Sequence, residues 1–331
     1  ISWNIFNFHK LNNNYIMKNI YSNIYSFNKN VLKKTINLLK RGNIAGIPTE
    51  TVYGLAGNAY SKIAVKKIFK LKRRPKKNPL IVHYYDWKGA QNDVLFNKNF
   101  FKLYNKFCPG PLTFVLQKNI NSKINSLATS NLDTVAIRFP SHKIVRAILK
   151  KISFPLAMPS ANISSSLSPI NPYDVFENFK KKLNIIINGG NSKIGIESTV
   201  IDLSSKPKIL RPGLISKKEL KNVLKINFSK KKAKLRSPGM LKKHYSPGIP
   251  VIYGQKPKKP NHAYIVFGKK FKNKRNYFNL SKKADLKEAA SNLYKIMRKI
   301  KKMNYEKIFV SRIPNTGPGI AINDRLIRAS K

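Results

Sequence analysis

Residues 48–55, Pro48-Thr49-Glu50-Thr51-Val52-Tyr53-Gly54-Leu55, follow the apolar run 44–47 and set the reading of the whole chain. A short buried strand that empties into a hydroxyl-rich loop is how α/β folds present groups to a ligand. Thr49, Glu50, Thr51 and Tyr53 can hold a small polar molecule. Gly54 and Gly57, in the loop that follows, let the backbone approach it closely. Taken alone, the stretch reads more readily as an ordinary loop with Ser/Thr turns, so the pattern around it decides.

Upstream, Val31, Ile36, Leu38 and Leu39 recur at helical spacing until Gly42 ends the element. Downstream, Ser61 is placed to cap a helix that carries Ala64, Val65, Ile68, Phe69 and Leu71 on one face. Short apolar runs at 80–82, 112–117, 134–139, 156–158, 185–187, 198–203 and 208–210 read as strands, the second of them after the break Cys108-Pro109-Gly110-Pro111. Helices between several of them predict an α/β chain with a mixed sheet. Ser216-x-x-Glu219 has the spacing of a capping box and opens a helix through Leu224. From residue 227 the chain turns polar and basic, as linkers do. A second, smaller α/β unit follows, with strands at 251–253, 263–267 and 308–311. Its helix carries Leu286, Ala290, Leu293, Met297 and Ile300, and a closing segment runs over 321–328. The expected division is an arm at 1–27, disordered in this reading, a first domain at 28–226, a linker at 227–250 and a second domain at 251–331. No internal repeat is present.

The chain has 331 residues, long enough for two domains, and 42% hydrophobic residues, ample for packed cores. No apolar run reaches the roughly 18–20 residues of a membrane span, and the opening stretch lacks the pattern of a secretory signal. One cysteine, Cys108, excludes an internal disulfide and any cysteine-based zinc cluster. A reducing, cytoplasmic address is the expectation. Lys and Arg outnumber Asp and Glu by 66 to 13, a formal charge of +53. Such an excess attracts phosphate-bearing partners. Lys, Asn and Ile are nevertheless abundant everywhere, as A/T-rich coding would produce. The clusters at Lys230–Lys232 and Lys299–Lys302 fall in the linker and in a helix, so charge alone does not make an RNA-binding protein.

Lys72, Arg73 and Arg74 end the Ser61-capped helix, where cations suit the helix dipole in any case and could also meet a triphosphate. His83 follows the 80–82 strand, and a lone histidine is more often structural than a ligand. Thr134 and Arg138 are four apart on one strand and share a face. An arginine on an apolar strand face needs a counter-charge: a ligand carboxylate, Glu50 or Glu197 would serve. Pro159-Ser160-Ala161-Asn162 is a polar loop after a strand, Glu197-Ser198-Thr199 opens another, and Arg211-Pro212-Gly213 closes a third. Phosphate-loop and dinucleotide glycine patterns, zinc motifs and the hydrolase nucleophile elbow are all missing. Acidic residues are too sparse for a carboxylate metal cage, so Mg²⁺ is expected only on nucleotide phosphates.

Taken in order, these segments resemble the YrdC/Sua5 family. The likeness is carried by residues 48–55, Lys72-Arg73-Arg74-Pro75 through Asn78-Pro79-Leu80-Ile81-Val82-His83, Pro109-Gly110-Pro111-Leu112-Thr113 and Val135–Pro140. It continues with Pro159–Asn162, Glu197–Asp202 and Arg211-Pro212-Gly213. Ser237-Pro238-Gly239-Met240 with His244-Tyr245-Ser246-Pro247 is similar to the linker of its two-domain Sua5 branch. Asn315–Gly319 with Asn323-Asp324-Arg325-Leu326 is similar to the end of that branch's second domain. The resemblance implies a YrdC-like twisted mixed sheet at 28–226 and a Rossmann-like Sua5 C-terminal domain at 251–331.

It also implies an activity, the formation of threonylcarbamoyl-AMP and pyrophosphate from ATP, L-threonine and bicarbonate for modification of tRNA at A37. By motif position Thr51, His83, Arg138 and Ser198 would contact threonine or its carbamate. Arg74, Asn78, Thr134, Ser160, Ser168 and Arg211 would hold ATP, Tyr245 would fold over the nucleotide, and Lys72 and Asn162 would support the site. Mg²⁺ would arrive with ATP. Downstream transferase proteins, and more weakly tRNA, are the implied partners, with no membrane. The carbamate is itself the nucleophile, so the protein's tasks are positioning and charge neutralisation, without a covalent intermediate. Met158 and Ser165 stand where the family usually has a small residue and a glycine. The rival readings are a non-catalytic basic RNA-binding protein of this fold, and a regulatory relative whose acylphosphatase and zinc-finger regions this chain lacks.

Overall fold

A computed structural model describes residues 21–228, 244–271 and 274–331. The linker motif at 237–240 and Lys230–Lys232 lie outside the described residues. In chain order the elements of the first unit are β1 (Ile24–Ser26), α1 (Lys29–Lys40), β2 (Ala45–Ile47), β3 (Gly54–Asn58), α2 (Lys62–Lys72), β4 (Ile81–His83), α3 (Lys98–Phe107), β5 (Leu112–Gln117), β6 (Thr134–Arg138), α4 (Lys143–Leu149), β7 (Leu156–Ala157), α5 (Pro172–Phe179), β8 (Ile186–Asn188), β9 (Thr199–Asp202), β10 (Lys208–Arg211) and α6 (Lys217–Leu224). The second unit holds β11 (Val251–Tyr253), β12 (His262–Val266), β13 (Tyr277–Asn279), α7 (Leu286–Lys302), β14 (Lys307–Val310) and α8 (Pro318–Ala329).

The first ten strands form one mixed sheet in the order β1-β8-β2-β3-β7-β4-β6-β5-β9-β10. Its central strands are buried on both faces. Along β6, Val135 and Ile137 enter the large core on one side, and Ala136 joins Ile81, Val115, Val200 and Leu210 on the other. That alternation puts Thr134, Ala136 and Arg138 on a common face, as their even spacing requires. Ser61 caps α2 through the amide of Ala64, and Ser216 and Glu219 close both halves of the capping box on α6.

Two expectations are corrected. The residues after Tyr53 are not a loop: Gly54–Asn58 is β3, antiparallel to β2 and to β7. Gly-Leu-Ala-Gly lacks the β-branched and aromatic residues that mark strands, yet tertiary packing demands small residues there. A Cβ on Gly54 would lie 2.2 Å from Met158 Cγ, and one on Gly57 3.0–3.2 Å from Ile44, Ala64 and Ile68. The expected arm over 1–27 also ends too late, because Ile24–Ser26 pairs in parallel with Ile186–Asn188 and Tyr21 packs edge-on against Tyr173 and Phe176. Three residues are too short a run to show a period.

In the second unit four parallel strands, in the order β11-β14-β12-β13, carry α7 and α8 on one face. The core beneath those helices also takes in Val52, Leu167, Ile170 and Ile196 of the first unit and Tyr245 of the linker. The two units therefore share an apolar interface directly behind residues 48–55.

Candidate active site

A pocket opens at the carboxyl ends of β4 and β6, walled by the 49–54 segment, the Pro159-Ser160 loop, Arg211 and the linker residues His244 and Tyr245. Arg138, the last residue of β6, is its central cation. Its Nη2 donates to Glu50 Oε1 at 2.7 Å and its Nη1 to Thr51 Oγ1 at 2.8 Å. Of the three counter-charges open from the sequence, the one in contact is thus Glu50. Burial alone would raise the Glu50 carboxyl, but the adjacent guanidinium outweighs it and holds the group below its ordinary value. Thr51 is fixed in turn by the Thr49 hydroxyl, 2.9 Å away. His83 is the ladder neighbour of Arg138 across β4 and β6. Burial, helped by Arg138, keeps it neutral far below the usual histidine range. A neutral imidazole, a hydroxyl and a guanidinium, all lining one cavity, suit a small zwitterion's carboxylate and hydroxyl.

Ser198 sits just behind this group. Its hydroxyl lies 2.8 Å from that of Thr113, which faces Arg138 across β5 and β6, and it accepts from Arg211 Nη2 at 3.0 Å. Arg211 itself lines the cavity. Arg74 also lines the cavity and is anchored by donating to the carbonyls of Asn78 and Pro79. Burial, with Arg211 adding to it, lowers its pKa to about 9. Ser160 lines the pocket. Lys72 and Asn162 do not, and instead build the loop that carries it. Lys72 Nζ donates to the carbonyls of Ser160 and Asn162 at 2.5 and 2.6 Å, and Asn162 Nδ2 donates to those of Ile163 and Ser166. Asn78, Thr134 and Ser168 also lie off the cavity wall. Asn78 supports Arg74 through its carbonyl, Thr134 is at the far end of β6, and Ser168 donates to Glu197 Oε1 at 2.5 Å.

Glu197, read from the sequence as a possible counter-charge for Arg138 and given no place among the binding residues, has other partners. It lines the pocket and accepts from Ser168, from the Tyr294 hydroxyl at 3.1 Å and from Arg325 Nε at 3.1 Å. Tyr294 and Arg325 belong to α7 and α8, so the second unit reaches the back of the site. Burial would raise the Glu197 carboxyl, yet Arg325 and then Arg211 pull it down to about 2. Over this ion pair sits Tyr245, only 1% exposed. The Arg325 guanidinium lies 5.3 Å from its ring centroid, and the Tyr294 ring is stacked at 5.9 Å. Tyr245 has a left-handed φ of +65°, strain that costs about 1–3 kcal/mol and that persists where packing over-determines the backbone, as it does at functional segments. With His244 and Tyr245 seated, the free space is about 40 Å³, room for a few water molecules. One signal in the sequence could have singled out Glu197. In a chain with 13 acidic residues, a glutamate opening a hydroxyl-rich strand is unusual.

The Ser165 departure has a visible cost. Ser165 adopts φ +71°, where a side chain is disfavoured by about 1 kcal/mol relative to glycine. Its carbonyl accepts from the Ser246 amide at 2.8 Å, which ties the Pro159–Ser168 region to the linker. Ser165→Gly is expected to stabilise the protein by about 0.5–1 kcal/mol, measured as a raised urea midpoint with unchanged slope. A lowered midpoint would show that the serine side chain has a role of its own. Met158, the other departure, fills the space above Gly54 and forms part of the pocket wall.

The Sua5/YciO/YrdC family model, described as telomere recombination, matches residues 37–213. A second model, described as the C-terminal domain of threonylcarbamoyl-AMP synthase, matches residues 215–331. The chain is 36% identical to the threonylcarbamoyl-AMP synthase of Pyrococcus abyssi, over 88% of this chain and 92% of that protein. It is 33% identical to that of Bacillus subtilis, over 88% and 91%. Its structure is similar to the crystal structure of P. abyssi Sua5 complexed with L-threonine, with a TM-score of 0.84 and 32% identity over 93% of this chain and 96% of that one. Escherichia coli YciO shares the fold of the first unit, with a TM-score of 0.54 at 20% identity over 60% of this chain. With the two family models covering residues 37–213 and 215–331, the chain belongs to the Sua5/YciO/YrdC family in its two-domain form.

Proposed function

We propose that this pocket makes threonylcarbamoyl-AMP from L-threonine, bicarbonate and ATP. The observation that carries the reading is the convergence of Thr51, His83 and Arg138 on one cavity that Arg74, Ser160 and Arg211 also line. Three arginines, with no thiol among the described lining residues, fit a reaction in which the substrates react with each other.

In this reading threonine binds with its carboxylate on Arg138, which then exchanges part of its contact with Glu50 and Thr51 for the substrate. The threonine carbamate, formed from the amine and bicarbonate with loss of water, attacks the α-phosphorus of ATP. A bond from carbamate oxygen to phosphorus forms, the bond to the α–β bridging oxygen breaks, and pyrophosphate leaves. Arg74 and Arg211 stabilise the charge that builds on the phosphate oxygens. Asn78 and Ser168 act on the nucleotide only indirectly, through Arg74 and Glu197, and Thr134, at the far end of β6, is given no part in this reading. Mg²⁺ would be supplied on the triphosphate. The two carboxylates nearest the pocket fit that expectation, since Glu50 is engaged by Arg138 and Glu197 by Arg325, Tyr294 and Ser168. The His244–Tyr245 segment must lift to admit a nucleotide and reseat to exclude water. The basic RNA-binding alternative leaves this charge arrangement unexplained. Pyrophosphate release that requires threonine and bicarbonate together supports the synthase, and RNA binding without turnover supports the alternative.

A further inference from the structure

The second unit has a cavity of its own, remote from the site just described. It measures about 610 Å³ and is lined by Gly254, Lys256, Tyr264, Lys270, Phe271, Lys274, Tyr277, Ser311 and Arg312, a volume typical of small-molecule sites. Its position follows from the topology. The connection from β12 to β13 crosses the face that carries Tyr264, Val266 and Phe309, where Phe271 packs. The connection from β13 to β14 crosses the opposite face as α7. The chain therefore leaves the middle of the sheet in opposite directions between the neighbours β12 and β14. Parallel α/β sheets bind ligands outside the carboxyl ends of the strands at such a switch point. Lys270 and Phe271 follow β12, Ser311 and Arg312 follow β14, and Gly254, with φ +80° and open space around it, follows β11.

The chemistry of the lining is one-sided. Among the described residues, four cations ring the cavity and no acidic side chain lines it. General basicity of the chain explains lysines on a surface, but not the two features beneath them. The first is aromatic. Tyr264 meets Phe271 and Tyr277 edge-on at 5.9 and 5.1 Å, and Lys270 and Lys274 lie over the Phe271 and Tyr277 rings at 5.5 and 5.6 Å. The second is Ser311, 7% exposed, whose hydroxyl is buried in the cavity wall without a hydrogen-bond partner among the described residues. A buried hydroxyl left unpaired is costly, and a ligand oxygen would satisfy it.

We propose that this cavity is a second ligand site, one that takes a nucleotide. The phosphate sits among Lys256, Lys270, Arg312 and the Ser311 hydroxyl, and the base stacks on Tyr277. Free mononucleotide and a nucleotide unit of single-stranded RNA share this chemistry. The site does not depend on the reaction proposed for the first unit.

The test uses the full chain with two probes whose base is not adenine, UMP and a short 5′-phosphorylated oligouridylate, followed by fluorescence anisotropy and competition. Lys270→Glu/Arg312→Glu is expected to weaken binding at least tenfold. Tyr277→Ala is expected to weaken it about fivefold or more, the loss of one stacked base. A control reversal on α1, Lys29→Glu/Lys33→Glu, removes the same charge and is expected to change binding less than twofold. Threonine-dependent pyrophosphate release should be unchanged in all three variants. UMP that displaces the oligonucleotide identifies free nucleotide as sufficient, and binding of the oligonucleotide without competition by UMP identifies the strand as the source. No measurable binding of either probe overturns the proposal. So does an equal loss in the α1 control, which would reduce the effect to overall charge, or a Tyr277→Ala variant that binds as the wild type does.

Discussion

Arg138→Ala is expected to raise the threonine concentration for half-maximal turnover about 100-fold or more, while the ATP requirement moves by less than about threefold. The magnitude follows from the kind of contact. Truncating one member of a buried, hydrogen-bonded charge pair costs about 2–5 kcal/mol, and each 1.4 kcal/mol is about tenfold. The selectivity follows from position. Arg138 contacts Glu50 and Thr51, whereas Arg74 and Arg211 keep anchors of their own. The single variant also leaves Glu50 buried without its counter-charge, a destabilisation of about 3–5 kcal/mol that could obscure the kinetics. Glu50→Gln/Arg138→Ala removes both charges and is expected to keep the threonine defect in a folded protein. Initial rates over a grid of both substrates decide the matter. Equal losses for threonine and ATP would contradict the assignment.

The second large effect is expected far along the chain. Arg325→Met should destabilise the protein by about 3–5 kcal/mol, because it strands Glu197 at the interface of the two units. Arg325 is 1% exposed and also donates to the Pro212 carbonyl at 2.6 Å, next to Arg211. Glu197→Gln/Arg325→Met keeps the contacts from Ser168 and Tyr294 without a buried charge, and should recover about half of the loss or more. A double-mutant cycle by urea unfolding checks this: a coupling of about 2 kcal/mol is expected, and strict additivity would show that the pair is incidental. The acid limb has a definite sign. Glu197 is held at about 2 in the folded protein against 4.5 normally. Its contribution is therefore present above pH 4.5 and is lost as the pH falls from there toward 2.

Most of the first unit was legible because its strands are buried on both faces and read as apolar runs bounded by Gly and Pro. The exceptions have local causes. β3 is built from glycine and alanine to clear Met158 and Ile68, and β1 is three residues long. Arg138 could be read as a site residue because an arginine among Val135, Ala136 and Ile137 has no structural reason to be there without a partner. Arg325 could not. On α8 it looks like one more cation in a chain rich in them. Its role comes only from a tertiary contact with a glutamate 128 residues away. Tyr245 was legible through its resemblance to the two-domain linker, but its strained backbone and its seat over Arg325 were not. The positive charge, the most conspicuous property of the sequence, says little about the first site. It gains meaning where cations surround aromatic rings and an unpaired serine, between β12 and β14.

The central claim is that one pocket joins threonine, bicarbonate and ATP without a covalent protein intermediate. The direct measurement is mass spectrometry of the nucleotide product after incubation with ¹³C-bicarbonate, L-threonine and Mg-ATP. The account predicts an adenylate that carries both the threonine mass and the ¹³C label, formed together with pyrophosphate and lost in Arg138→Ala. Pyrophosphate released with unlabelled AMP alone, or no turnover at all from folded protein, would contradict it.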